Sequence, residues 1–312
     1  MAYAGIFQAL GAPLSSSMMA LLHGELMHHD IDIPASWARS VAEIARRQWR
    51  RILVIGAVDR GKSTYCRFLS QHLLAAGWRV AIVDADVGQK DIGPPAAITL
   101  GYPALAQPLT TVRPAAWYFV GAVSPVGHLL PMVVGTKQLV EAAQAAYVII
   151  NTTGLVHGVG RVLKSYTIEA VQPHVIVAIE QEAELQPLLT SYRNYRVLRL
   201  SPSVHAVAKT PEQRRLVRER AFQGYFQTAS EVALPVRHLL FQRRYVPRDD
   251  ELHVLCGVAD RRNRGVGLAI SLGRQAQPDT LSLLTPVPAP LIHIVQYGDL
   301  CLTPEGHELD RR

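Results

Sequence analysis

Ile52-Leu53-Val54-Ile55-Gly56-Ala57-Val58-Asp59-Arg60-Gly61-Lys62-Ser63-Thr64 is the stretch on which the fold turns. A short apolar, β-branched run gives way to a glycine loop, and a helical pattern then runs through Phe68, Leu69 and Leu73 to Gly77. Residues Gly56 to Ser63 match GxxxxGK[ST] at the place where that pattern makes physical sense, between a buried strand and a helix start. Glycines let backbone N–H groups curl around phosphate oxygens in conformations that a Cβ obstructs. The helix N-terminus adds its partial positive charge at the same spot. Lys62 is then placed to reach the β- and γ-phosphates and the Ser63 hydroxyl to hold magnesium. The stretch predicts binding of ATP or GTP with Mg2+.

The next strand-like run, Arg79 to Asp84, closes as Val83-Asp84-Ala85-Asp86-Val87-Gly88-Gln89. Carboxylates at i and i+2 leave a strand on one face, at the edge that forms the ligand crevice of an open α/β sheet. Two such groups repel unless a cation lies beside them. One can order the metal through water while the other takes a proton from an attacking hydroxyl. Asp86, further from the buried strand, is the favoured base, and Asp84 the metal-ordering group.

Working outward, apolar runs at Ala116 to Val120, Tyr147 to Asn151 and Val175 to Glu180 alternate with helical patterns near 136–146, 160–171 and 210–224. This is the signature of a mostly parallel sheet covered on both faces by helices, an α/β P-loop architecture. Trp37, Val41, Ile44 and Ala45 add an amphipathic helix between Pro34 and Arg51, and the first thirty residues read as a weakly structured lead-in. Beyond residue 232, short alternating segments (Val254 to Val258, Val266 to Leu272, Thr280 to Leu284) indicate a small antiparallel β module. The expected organisation is 1–50 lead-in and helix, 51–231 P-loop domain with a lid helix at about 209–224, and 232–312 β module.

Composition sets broad limits. Of 312 residues, 49% are hydrophobic and 18% charged, which excludes wholesale disorder. The net charge of +7 is compatible with a nucleic-acid or nucleotide partner without requiring one. Cys66, Cys256 and Cys301 stand too far apart for a disulfide framework or a metal knuckle, so a reducing cytoplasm is expected. No apolar run is long enough to span a membrane, and no signal-peptide pattern opens the chain.

The ordered set Gly56 to Thr64, Asp84-Ala85-Asp86-Val87-Gly88-Gln89, Pro94-Pro95 and Asn151-Thr152-Thr153-Gly154 resembles the polynucleotide 5′-hydroxyl kinases, which include the RNA kinase subunit of pre-mRNA cleavage and the kinases of pre-ribosomal RNA processing. The resemblance runs from about Ile33 to the C-terminus. It implies a nucleotide-binding set of Gly56, Asp59, Arg60, Gly61, Lys62, Ser63 and Thr64. It makes Asp84 and Asp86 the metal and base carboxylates, with Gln89 beside the acceptor. It likens Thr152-Thr153-Gly154-Leu155 to the family's TxGW clasp, with Thr152 and Gly154 as acceptor-binding residues. Leu155 departs from the family's tryptophan and gives up most of a base-stacking contact of roughly 1–3 kcal/mol. It also likens Lys209 to Gly224 to a lid helix. Arg214 and Arg218, at i and i+4, can there point at one anionic target, and Lys209 stands where the family has arginine.

Three segments carry weaker expectations. Gly121 to His128 should line the crevice, with His128 itself a structural or surface histidine; Glu180-Gln181-Glu182 lies where P-loop proteins read the nucleobase; and Arg261-Arg262-Asn263-Arg264 is either a solvated loop or a backbone contact. The first functional expectation is transfer of the γ-phosphate of ATP or GTP to the 5′-hydroxyl of RNA or DNA. Two others use the same core: a nucleotide-binding scaffold or switch with little transfer, and a small-molecule kinase. No protein partner follows from the sequence.

Overall fold

The computed structural model describes residues 33–203, 208–242, 252–275 and 279–309. The lead-in expected for the first thirty residues lies outside them. Five strands form the parallel centre: β2 (Val80–Ala85), β5 (Tyr147–Thr152), β1 (Arg51–Gly56), β6 (Val175–Ile179) and β7 (Val197–Leu200), side by side in that order. Ile52 and Val54 of β1 face one way and Leu53 and Ile55 the other, so both faces bury apolar side chains and the strand reads as an unbroken apolar run.

One face packs on α1 (Ala35–Arg47) and α2 (Lys62–Ala75) through Trp37, Ile44, Phe68 and Leu73. The other packs on α3 (Leu129–Ala142), α4 (Val159–Val171) and the short α5 (Gln186–Leu189). Helix α1 ends where Gln48 turns left-handed at φ 54. Helix α3 starts seven residues before its expected position at 136. Pro131 stands in its first turn, where a missing N–H leaves no helical bond unmade, so the proline does not stop the helix.

Strands β3 (Ala97–Gly101) and β4 (Pro114–Phe119) continue the sheet antiparallel beyond β2. Gly265 pairs with Trp117 and thereby attaches the C-terminal strands to the same sheet. These are β10 (Val254–Ala259), β11 (Gly265–Gln275), β12 (Thr280–Thr285), β13 (Ile294–Leu302) and β14 (Glu308–Leu309), with β8 (Ser230–Pro235) beside β12 and β9 (Leu240–Gln242) beside β13. Helix α6 (Pro211–Phe226) opens with a capping box between Thr210 and Gln213. Its far end is seated on the C-terminal strands: Phe222 and Phe226 share a core cluster with Leu255, Leu268 and Ile270, and the Tyr225 hydroxyl accepts from Leu268 N at 2.8 Å. No helix among the described residues is long and apolar enough to cross a membrane.

Candidate functional site

The segments singled out in the sequence meet at one sheet edge. Parallel strands present their C-terminal ends together, so the loops after β1, β2 and β5 and the turn after β4 converge there. Between them lies a cleft of about 910 Å3, lined by Lys62, Ser63, Asp86, Gln89, Gly154 and Arg214 among others.

The loop after β1 turns into α2 through Gly61 at φ +82, a left-handed conformation that suits glycine. Lys62 Nζ donates to Ala57 O across the loop at 2.9 Å. Burial lowers the Lys62 pKa, opposed by the Asp86 and Asp59 carboxylates nearby. Arg60 leaves the cleft: it donates to Glu184 Oε1 (3.0 Å) and Gln181 Oε1 (2.7 Å), tying the loop to the segment after β6.

The two aspartates have different surroundings. Asp84 is buried, and its carboxylate accepts from the backbone N–H groups of Asp86 (3.2 Å), Asp91 (3.0 Å) and Ile92 (3.2 Å) and from Asn151 Nδ2 (3.1 Å), with Lys90 Nζ at 3.6 Å. Both oxygens of this carboxylate are therefore engaged by donors in the wall of the sheet edge. Asp86 lines the cleft, and its Oδ1 accepts from Gly88 N (3.1 Å) and Gln89 N (3.0 Å). Burial raises its pKa, with Lys62 pulling the other way. Of the pair, it is Asp86 that borders the cleft, within reach of a hydroxyl entering there.

Asn151 joins Asp84 to the phosphate loop. Its Nδ2 also donates to Ser63 Oγ at 3.2 Å, while its Oδ1 is buried without a hydrogen-bond partner. The Ser63 hydroxyl and the Asp84 carboxylate, both within reach of the Asn151 amide nitrogen, are hard oxygen donors of the kind that suits magnesium. Asp91 is a further acid here, its pKa lifted to about 6 by burial and by Asp84, with a hydrogen bond to Ser63 opposing.

Two sequence expectations need correction. Thr152 does not reach the cleft: its hydroxyl donates to Val54 O at 2.8 Å inside the sheet, because the residue is still the last of β5. Thr153, one position on, lines the cleft instead, followed by Gly154, where a Cβ would stand 2.6–2.8 Å from Val58 of the phosphate loop. Likewise Arg214 and Arg218 do not converge. Arg214 Nη2 holds Asp59 Oδ2 at 2.5 Å, and Lys209 N donates to the same oxygen at 2.9 Å, so the lid start is latched to the phosphate loop. Arg218 instead forks onto the Glu308 carboxylate, with Nη2 at 2.8 Å, because β14 runs past that turn of α6.

Gln89 bridges the aspartate turn and the lid, its Nε2 donating to Gly88 O (3.0 Å) and Arg214 O (3.3 Å). Val123, Ser124 and Pro125 line the cleft, whereas His128 pairs with Asp299 at 2.9 Å. In the Arg261 to Arg264 loop, Arg264 pairs with Asp260 and Arg261 donates to His293. Sequence reasoning passed over Asn151, Asp91, Thr153 and Lys164. Asn151 and Thr153 stood inside a quoted motif. Lys164 carried no signal, since a helix lysine ordinarily reads as solvated.

A family profile described as "mRNA cleavage and polyadenylation factor CLP1 P-loop" matches residues 56–228. A polyribonucleotide 5′-hydroxyl-kinase of Pyrococcus furiosus is 38% identical over 193 residues, 61% of this chain and 54% of that protein. Another of the same description, from Methanocaldococcus jannaschii, is 39% identical over 183 residues, 57% of this chain and 51% of that one. The chain thus spans about half the length of the curated relatives it matches. The structure of a wild-type Clp1p–Pcf11p complex superposes with TM-score 0.63 at 12% identity, covering 90% of this chain and 77% of that one, a likeness of fold. With more than half its length inside that profile, the chain belongs to the CLP1 P-loop family.

Proposed function

We propose that the chain is an ATP- or GTP-dependent polynucleotide 5′-hydroxyl kinase, acting on RNA or DNA ends. What carries the reading is the cleft itself: Lys62 and Ser63 of a phosphate loop face Asp86, the aspartate of the pair that borders it, with the Thr153-Gly154 turn lining the same space. The names of the archaeal relatives support it.

In this reading the loop amides and Lys62 hold the triphosphate, and Lys62 exchanges Ala57 O for a phosphate oxygen. Asp86 accepts the proton of the 5′-hydroxyl as its oxygen approaches the γ-phosphorus. Arg214, freed from Asp59, sets its guanidinium against the charge on the transferring group. Ser63 and, through water, Asp84 are the residues that would hold Mg2+, which when bound neutralises phosphate charge. Most of the rate enhancement then comes from positioning and electrostatics. The three cysteines are free thiols, which is consistent with a reducing cytoplasm as the place of work.

The test is incubation with γ-labelled ATP or GTP and an oligonucleotide bearing either a 5′-hydroxyl or a 5′-phosphate. Label in the first and none in the second is the expected result. Bound nucleotide with no labelled oligonucleotide of RNA or DNA refutes the reading in favour of a scaffold or switch.

A further inference from the structure

Directly behind the cleft wall, helix α4 buries a lysine. Lys164 is only 1% exposed, and its Nζ donates to Thr153 O at 2.7 Å and to Thr153 Oγ1 at 3.1 Å. No carboxylate pairs with it among the described residues. With it, Ala85, Met132, Thr136, Thr152, Leu163 and Thr167 line a small internal void. Burying an ammonium without a counter-ion is costly, so packing alone does not account for the nitrogen. Burial, with Lys62 adding to it, pulls its pKa down to about 7.

The hydrogen-bond inventory of Thr153 shows what the nitrogen does. Thr153 is 4% exposed and lines the cleft. Its hydroxyl accepts from Lys164, and among the described residues the hydroxyl proton has no acceptor of its own. A hydroxyl carries one donor and two acceptor sites. With the lysine occupying the acceptor side, the remaining proton is the group's offer to whatever enters the cleft. The backbone carbonyl of the same residue is held by the same nitrogen, which pins the turn while Gly154 lies close against Val58.

We propose that Lys164 is a positioning residue for the acceptor: it holds the Thr153 turn and directs the Thr153 hydroxyl proton into the cleft, toward a phosphate oxygen of the incoming nucleic-acid end. This rests on the polynucleotide reading above and adds to it a residue that does not itself touch substrate. Lys164 and Thr153 act as one unit, so removing either removes the same contact.

The experiment is fluorescence anisotropy of a labelled 5′-hydroxyl oligonucleotide, with a non-hydrolysable ATP analogue present, for the native chain, Lys164→Met, Thr153→Val, Thr153→Ser and the Lys164→Met/Thr153→Val double variant. Loss of one charge-assisted hydrogen bond predicts oligonucleotide binding about tenfold weaker in Lys164→Met and in Thr153→Val. The double variant should be no weaker than either single, Thr153→Ser near native, and ATP-analogue affinity unchanged throughout. A lysine serving only the fold would leave oligonucleotide affinity native in every variant that folds, so the loss of affinity and its non-additivity are read together. Native oligonucleotide affinity in Lys164→Met, or a double variant weakened by the product of the two single effects, overturns the proposal. Should Lys164→Met fail to fold, native affinity in Thr153→Val overturns it equally. The readout needs no phosphoryl transfer, so an oligonucleotide that is bound but never phosphorylated refutes the kinase reading and leaves the coupling standing. No binding by the native chain overturns both.

Discussion

Replacing Lys164 by methionine should stabilise the fold at neutral pH, and the gain should shrink in alkali. Unfolded, the lysine keeps its proton up to an ordinary pKa of 10.5, whereas folded it loses it at about 7. Between those values the unfolded chain binds more protons, so this residue makes native stability rise with pH. Below about pH 7 both states are protonated and the destabilisation is complete. The interval from about 7 to 10.5, at about 1.4 kcal/mol for each pH unit, sets a ceiling of roughly 5 kcal/mol. Two lost hydrogen bonds to Thr153, worth about 1 kcal/mol each, and local relaxation lower the expected net gain at pH 7 to roughly 2–3 kcal/mol. Moving to pH 9 should remove most of that gain. Lys62 and Lys90, whose pKa values burial also lowers, are present in both proteins and largely cancel in the difference. Urea unfolding of native and Lys164→Met protein at pH 7 and pH 9, with slopes checked for equality, measures it. A stability difference that is the same at both pH values, or that grows toward pH 9, refutes a lysine discharged by burial.

Asp86→Asn should keep ATP affinity within a few-fold and cut turnover by at least about a hundredfold, as measured by label transfer beside calorimetry. If affinity and turnover fall together, Asp86 orders the metal and Asp84 becomes the candidate base. Asp59→Asn removes the carboxylate that holds Arg214 and should tighten ATP binding by roughly two- to fivefold, since the arginine no longer has to be pulled from an ion pair. Weaker binding in that variant would mean that Asp59 contacts the nucleotide directly. Leu155→Trp restores an aromatic face at the cleft and should lower the oligonucleotide Kd by about 5- to 100-fold in anisotropy, an unchanged Kd meaning that no base reaches this position.

The parallel centre was readable because strands buried on both faces are written as unbroken apolar runs, as at Ile52 to Ile55 and Val175 to Ile179. The strands β3, β7, β8, β9, β13 and β14 were not read, for want of such a run, of clean alternation or of length. In β13, Ile294 and Val295 are followed by Gln296, Tyr297, Gly298 and Asp299, half-buried against neighbours that only the fold supplies. The motifs located the cleft because their chemistry is local to a strand end. Two side-chain directions were not local. Thr152 is the last residue of β5 and Thr153 the first beyond it, and that one step exchanges sheet interior for cleft. Arg218 shares a helix face with Arg214, yet Glu308, ninety residues further along, claims it. Lys164 shows the same limit, since its burial follows from α4 folding back behind the Thr153 turn, a tertiary contact that helical spacing does not encode.

Isothermal titration calorimetry with ATP and with GTP, magnesium present, on the native chain and on Lys62→Ala asks most directly whether the loop from Gly56 to Ser63 holds a triphosphate. Saturable heat with at least one nucleotide, weakened at least about tenfold in a variant that keeps its native melting transition, is the expected result. No heat from the native chain with either nucleotide, or equal affinity in Lys62→Ala, would contradict it.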